Sequence, residues 1–171
     1  VLLSEAGSTR AIALDSVTRL REPFGLTSPV RFGPDARTRV MLFAMNLHLA
    51  EGEGASALTA DAEDAARRLH PLAVEYVGPV PGQEWMMSVV VRLPEGLADA
   101  GDVLVRITYR GEPSNRVRVA LGHVGGGPPD DAGSIPTPAP AAVSPTPNTN
   151  PVTAGNLSTG DVQAVISQAV S

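Results

Sequence analysis

Hydrophobic and polar positions alternate most cleanly from Asp102 to Leu121. Val103, Val105, Ile107 and Tyr109 alternate with Leu104, Arg106, Thr108 and Arg110, and after Gly111–Asn115 Val117, Val119 and Leu121 alternate with Arg116, Arg118 and Ala120. A period of two puts the apolar set on one face of a strand and the polar set on the other. The break carries Gly, Pro, Ser and Asn, each a turn former. The stretch predicts a β-hairpin with one buried face and one solvent-facing arginine face, turning at Gly111–Asn115.

The same reading extends upstream. Ala11–Leu14 with Ser16–Thr18 predicts a strand or bent pair. Pro23, Gly25, Pro29, Gly33 and Pro34 mark Arg19–Asp35 as a loop. Thr38–Leu49 contains the unbroken apolar run Val40–Met45, which predicts a central strand covered on both faces, or covered on one and adhesive on the other; a helix here would be apolar all round and stop at Glu51–Gly54. Ala57–Asp64 fits a strand, with helix the competing reading of its alanines. Leu69, Leu72, Val74, Tyr76 and Val80 follow in an extended pattern into the turn-rich Val77–Gly82, and Met86–Leu93 is a strand ended by Pro94–Gly96. The fold class is all-β: an immunoglobulin-like antiparallel β-sandwich of about seven strands, with turn signals every 8–12 residues or so.

The composition changes at Gly122. Gly122–Gly155 holds eight prolines and little that is large and apolar, so burial cannot offset its ordering entropy. It reads as a disordered, semi-rigid linker whose Thr and Ser offer sites for O-glycans. From Asn156 to Ser171 the pattern changes again: Ser158 stands three before Asp161, a variant capping box, and Val162, Val165, Ile166, Ala169 and Val170 follow at helical spacing. That segment predicts the first helix of a further domain. The expected organisation is a sandwich at 1–121, a linker at 122–155 and a helix start at 156–171. Asn156–Ser158 also matches an N-glycosylation sequon, though capping explains Ser158 equally well.

Charge and residue inventory then narrow the chemistry. All 13 basic residues are arginine and the net charge is -5. This argues against nucleic acid as a partner and removes Schiff-base and P-loop lysines. With no cysteine, disulfides, thiolate nucleophiles and cysteine metal sites are excluded. No apolar run is long enough for a membrane helix, so no membrane insertion is expected in this segment. The chain opens at Val1 without Met and reads as processed or as a piece of a longer polypeptide.

His48, His70 and His123 are far apart without second ligands at metal spacing. Asp61, Glu63 and Asp64 offer oxygens but not the order of a calcium loop. Glu51/Glu53 and Asp99/Asp102 flank turns, where nothing raises a carboxyl pKa for acid catalysis. No serine lies in a nucleophile elbow, and Gly125–Gly127 run into proline rather than a phosphate-binding helix. No catalytic residue, metal or cofactor is expected. Trp85-Met86-Met87 is different: three large residues in a row send at least one to each face of a strand. Core packing with an edge inside the domain is the first reading of these residues; the second makes them, together with Met41, Phe43, Ile12 and Leu14, the candidate interface with another domain or subunit.

Four short motifs carry a family resemblance. Tyr76-Val77-Gly78-Pro79-Val80-Pro81-Gly82, Val89-Val90-Val91-Arg92-Leu93-Pro94-Glu95-Gly96, Gly101-Asp102-Val103 and Ser114-Asn115-Arg116-Val117 resemble, in order, the Solibacter-type uncharacterized C-terminal domain, over Tyr76–Leu121. Ser88 and Val90 depart from the polar positions usual in that strand. The resemblance implies a β-sandwich module of large secreted or surface bacterial proteins, without catalytic residues. The C-terminal LSTGDVQAVISQAVS is similar to the opening helix of the GlcG/HbpS-type haem-binding family, with no haem ligand assignable here.

The function expected is therefore a non-catalytic extracellular structural or interaction module on a bacterial surface or secreted protein, whose partners are other protein chains or copies of itself. Strand addition from the N-terminal strand could build a homo-oligomer or filament; pairing of that strand within its own sheet would argue against it. The alternative is a spacer carrying a downstream ligand-binding domain, such as a haem-binding GlcG-like one. Glycan binding predicts exposed aromatics, and the chain has one Trp, two Tyr and three Phe.

Overall fold

The computed structural model describes residues 1–30 and 33–134; the helix start at 156–171 and most of the linker lie outside the described residues. Eight strands occur among the described residues: β1 (Ala13–Asp15), β2 (Arg39–Met45), β3 (Leu58–Glu63), β4 (Leu69–Val80), β5 (Gln83–Arg92), β6 (Gly101–Tyr109), β7 (Glu112–Pro113) and β8 (Val117–Leu121). All pair antiparallel.

The first sheet runs β1-β2-β5-β4 and the second β4-β3-β6-β8. β4 belongs to both: Leu69–Leu72 pair with β3 and Ala73–Val80 with β5. This matches the A-B-E-D and C-F-G strand sets of the immunoglobulin fold, with β4 supplying an outer strand to each sheet. The inward positions are small and aliphatic. Val40, Leu42, Ala44, Val89 and Val91 from the first sheet pack with Ala62, Val103, Val105, Val117 and Val119 from the second.

The Val40–Met45 run resolves by register. β2 is buried at alternate positions, so it is covered on one face, and Met41 and Phe43 face out. The hairpin turn is tighter and earlier than expected. Arg110 (φ 50°) and Gly111 (φ 83°) form a two-residue loop, the positive-φ pair that matches strand twist. Glu112–Pro113 are already paired with β6, and the Ser114–Asn115 break becomes an irregularity before β8. Val77–Gly82 is likewise mostly strand: only Pro81–Gly82 turns, between Val80 and its partner Gln83.

The sandwich covers its own edges. Leu2 bridges Ala44, so Val1–Leu3 continues the line of β1 along β2. Thr9–Ala11 and Phe24 run parallel to β8, with Ala11 N–H donating to the Arg118 carbonyl and Phe24 N–H to that of Ala120. The N-terminal strand expected to be donated to a neighbour is thus paired within its own sandwich. On β4, Pro71 and Pro79 remove backbone donors and the register shifts around Glu75, devices that blunt an edge against strand addition.

The folded unit also continues past Leu121, the boundary expected from the composition. Gly122–Ser134 forms a strap against the start of β6. Asp102 N–H donates to the Gly125 carbonyl at 2.9 Å. A Cβ at Gly127 (φ 84°) would collide with the Asp102 carbonyl oxygen, and one at Gly122 would stand 2.9 Å from the Asp99 Cα. Only glycine allows backbone to approach backbone so closely at positive φ.

Candidate functional site

The two outer faces of the sandwich differ in chemistry. Outward residues of the second sheet form charged cross-strand pairs. Asp61 lies opposite Arg106 and takes its guanidinium at 3.0 Å. Glu63 pairs with Arg116, and with Arg67 at 2.7 Å. Asp102 takes Arg10 at 2.9 Å, and Arg10 also holds Glu22 at 2.6 Å. The strap then closes over this ladder. Arg118 donates to the Pro128 carbonyl and to Asp130, Thr9 donates to Asp130, and Arg116 binds Asp131. The arginine face expected to be wet is therefore roofed: Asp102 is 4% exposed and the outward Leu104 1%. Arginine suits this position because its planar fork satisfies several acceptors at once.

Every carboxyl group with a resolved shift among the described residues is moved downward. Arg37 first, then its backbone amide, hold the Asp35 carboxyl well below its ordinary range. Tyr109 and then Arg110 bring Glu53 to about 2, and the bonded Glu53 carboxylate in turn pushes the Tyr109 hydroxyl upward. His70 and the Arg68 amide lower Asp64; Arg67 and Arg116 lower Glu63; Arg116 lowers Asp131. At Asp130 burial acts the other way, but the bonds to Arg118 and Thr9 prevail. A general acid working near neutral pH needs the opposite shift. These groups are ionised members of ion pairs, and Asp61, Glu63 and Asp64 each spend oxygens on arginine.

The outer face of the first sheet is charged at one end, where Arg39 and Arg92 lie opposite each other and are held by Glu75 and Asp35, and is largely apolar beyond them. Register places Leu14 beside Met41, Met41 beside Val90 and Val90 beside Tyr76, all on one side. Phe43 lies opposite Ser88, and Met45 opposite Met86 on the same side. Outward positions of an antiparallel sheet facing water are ordinarily polar, so this face departs from the pattern. A groove of about 400 Å³ crosses it, lined by Leu14, Met41, Phe43, Tyr76, Pro79 and Val80 among others. The Tyr76 ring, itself 49% exposed, lies over Gly78, where a Cβ would collide with the tyrosine oxygen. Gly78 thus leaves room for the ring to lie flat along its own strand.

Of the expected interface residues, Leu14, Met41, Phe43 and Met86 share this face. Met87 does not: it pairs with the inward Ala44 and so points toward the interior. Trp85 is 60% exposed where the β4–β5 register shifts, near the Pro81–Gly82 turn. Ile12 is half-buried, where its N–H donates to the Leu3 carbonyl. Tyr76, Val80 and Val90 belong to the face and were missed. Val90 lies in a three-valine run that cannot declare its side, and Tyr76 faces outward only because the register shifts at Glu75. No local signal declares them: the Pro81–Gly82 turn pairs Val80 with Gln83, but the register shifts next to it and again around Glu75, so counting back from the turn gives the wrong partner for Tyr76.

Comparison of the chain with protein-family models, with curated proteins and with solved structures finds no match.

Proposed function

We propose that this chain is a non-catalytic structural and interaction module of a secreted or surface protein, and that it works through the apolar outer face of its first sheet. One observation carries the reading: Leu14, Met41, Phe43, Tyr76 and Val90 share a sheet face that would ordinarily be polar. Leu14, Met41 and Phe43 are half-buried and Tyr76 is exposed, so apolar surface remains in contact with water along this face; a contiguous apolar patch marks an interaction surface, and methionine adapts to a partner's shape. Carboxyl groups lowered by arginine, tyrosine and histidine partners support the non-catalytic part. The motif resemblance in Tyr76–Leu121 supports the surface location. With Val1–Leu3 paired at home and β4 blunted, association by a sheet face fits better than strand addition.

A photo-cross-linkable amino acid in place of Phe43 tests this in the intact host protein. Irradiation should give a discrete covalent adduct with another polypeptide chain, while the same probe in place of Thr108, outward on the charged sheet, gives none. Equal yields at the two positions, or none from position 43, would overturn the reading.

A further inference from the structure

On the outward side of the first sheet Arg39 and Arg92 are held by Glu75 and Asp35, whereas two charges beside the apolar field have no ionic partner among the described residues. Of the twelve arginines among the described residues, eleven pair with a carboxylate. The exception is Arg19, whose Nη1 lies 3.4 Å from the Met41 sulfur, so its guanidinium rests on the apolar face itself. Glu84 is exposed, two residues before the outward Met86, and has no ion-pair partner among the described residues. These two charges mark opposite corners. Arg19 follows β1, whose Asp15 pairs with Val40 at the start of β2. Glu84 precedes Met86, which pairs with Met45 at the end of β2, and β5 flanks β2 on the side away from β1. The apolar field lies between them.

We infer, resting on the reading above, that the partner is a second copy of this chain, packed face to face across a two-fold axis. In an isologous contact each residue pair occurs twice with its members exchanged. An axis lying in the plane of the face, midway between the two corners, sets Arg19 of each copy against Glu84 of the other. Both unpaired charges are then satisfied at the rim and both apolar fields are covered. A uniformly acidic or basic partner would satisfy one corner and repel the other. The two sheets would pack about 10 Å apart, as sheets do within a sandwich.

The size of the face sets the strength. Four strands about 4.8 Å apart and about seven residues at about 3.3 Å each give a footprint of roughly 400 Å² per copy before side-chain relief. The total of roughly 800 Å² lies below the roughly 1,000 Å² of a stable interface and in the range of transient ones, so the dimer is weak and transient, micromolar or weaker.

Sedimentation equilibrium up to about 0.5 mM protein tests the inference, on the wild-type chain, Arg19→Glu, Glu84→Arg and an equimolar mixture of the two variants. The wild type dimerises. Each variant alone sets like charges together twice and dimerises roughly tenfold more weakly, on the scale of two exposed pairs turned repulsive. The mixture restores association, because position 19 of one chain and position 84 of the other then carry opposite charges in both contacts. A wild-type chain that stays monomeric throughout, or a mixture no tighter than either variant alone, overturns the two-fold pairing. If position 43 still cross-links to a different polypeptide, the interaction reading stands without self-association; if it cross-links to nothing, both fail together.

Discussion

Asn115 pins the N-terminal strand, and replacing it by alanine measures how firmly. Its side-chain oxygen accepts the Leu2 N–H at 2.6 Å and its amide donates to the Leu2 carbonyl at 2.9 Å. The side chain thus imitates the backbone of a neighbouring strand. Leu2 is 2% exposed, so water does not readily replace either bond. Each lost bond costs about 1 kcal/mol, giving a loss of about 2 kcal/mol for Asn115→Ala. The alternative response is for Val1–Leu3 to lift away. That forfeits burial of Leu2, about 1.5–3 kcal/mol, and also the backbone bonds to Phe43 and Met45. Lifting costs more than staying, so the strand stays and the loss remains near 2 kcal/mol. For the described residues, about 130 at about 2.1 cal/mol/K each give an unfolding entropy near 0.27 kcal/mol/K, and the melting temperature falls by about 7 °C. Calorimetry reads that shift, and amide exchange at Leu3, which donates to Phe43, should quicken with it. A change below about 2 °C with unaltered exchange at Leu3 would refute the pinning role.

Gly127→Ala sets a Cβ against the Asp102 carbonyl at φ 84°, so the strap must lift; a stability loss of about 2–3 kcal/mol and faster proteolysis within 122–134 are expected, and unchanged cleavage would contradict the strap. Leu104→Ala should cost about 2–4 kcal/mol because this outward residue is 1% exposed, whereas Trp85→Ala, at 60% exposed, should stay within about 0.5 kcal/mol by urea denaturation; similar losses at both would show that the roofing of the second sheet is misplaced. The lowered carboxyl groups, with Glu53 at about 2, are more acidic folded than unfolded, so their contribution is complete above the ordinary carboxylate range near pH 4–5 and is lost as pH falls through the lowered values. The urea midpoint should therefore decline from about pH 5 toward pH 2; a midpoint that holds or rises over that range would contradict the ion-pair account.

Much of the fold was legible because strand periodicity is a local signal. Val103, Val105 and Ile107 are buried on one face as their alternation requires, and the β2 run reads correctly once one face is covered. What escaped depends on residues far apart in sequence. Nothing local says that Asp130 and Asp131 will return to Arg118 and Arg116, or that Arg10 and Glu22 will reach Asp102; a proline- and glycine-rich stretch reads as linker until the glycines that admit its backbone are seen against their neighbours. The four motifs that suggested a family have physical roles in this chain. Tyr76 covers Gly78, Arg92 holds Asp35 and Glu75, Gly101 and Asp102 receive the strap, and Ser114 and Asn115 bind Ile107 and Leu2. Of the candidate interface, Met41 and Phe43 could be suspected from an unbroken apolar run. Met86 and Met87 could not be told apart without the register, which sends neighbours to opposite faces.

The methionines supply the most direct measurement. Met41, Met45 and Met86 are half-buried on the apolar face, and Met87 points inward as an internal reference. Peroxide oxidation, followed by mass spectrometry at each site, should be compared between the dilute isolated chain and the concentrated or host-assembled protein. If this face is where the module works, the three outer methionines become protected on assembly while Met87 is unchanged. Equal oxidation of all three in both states would contradict the central claim.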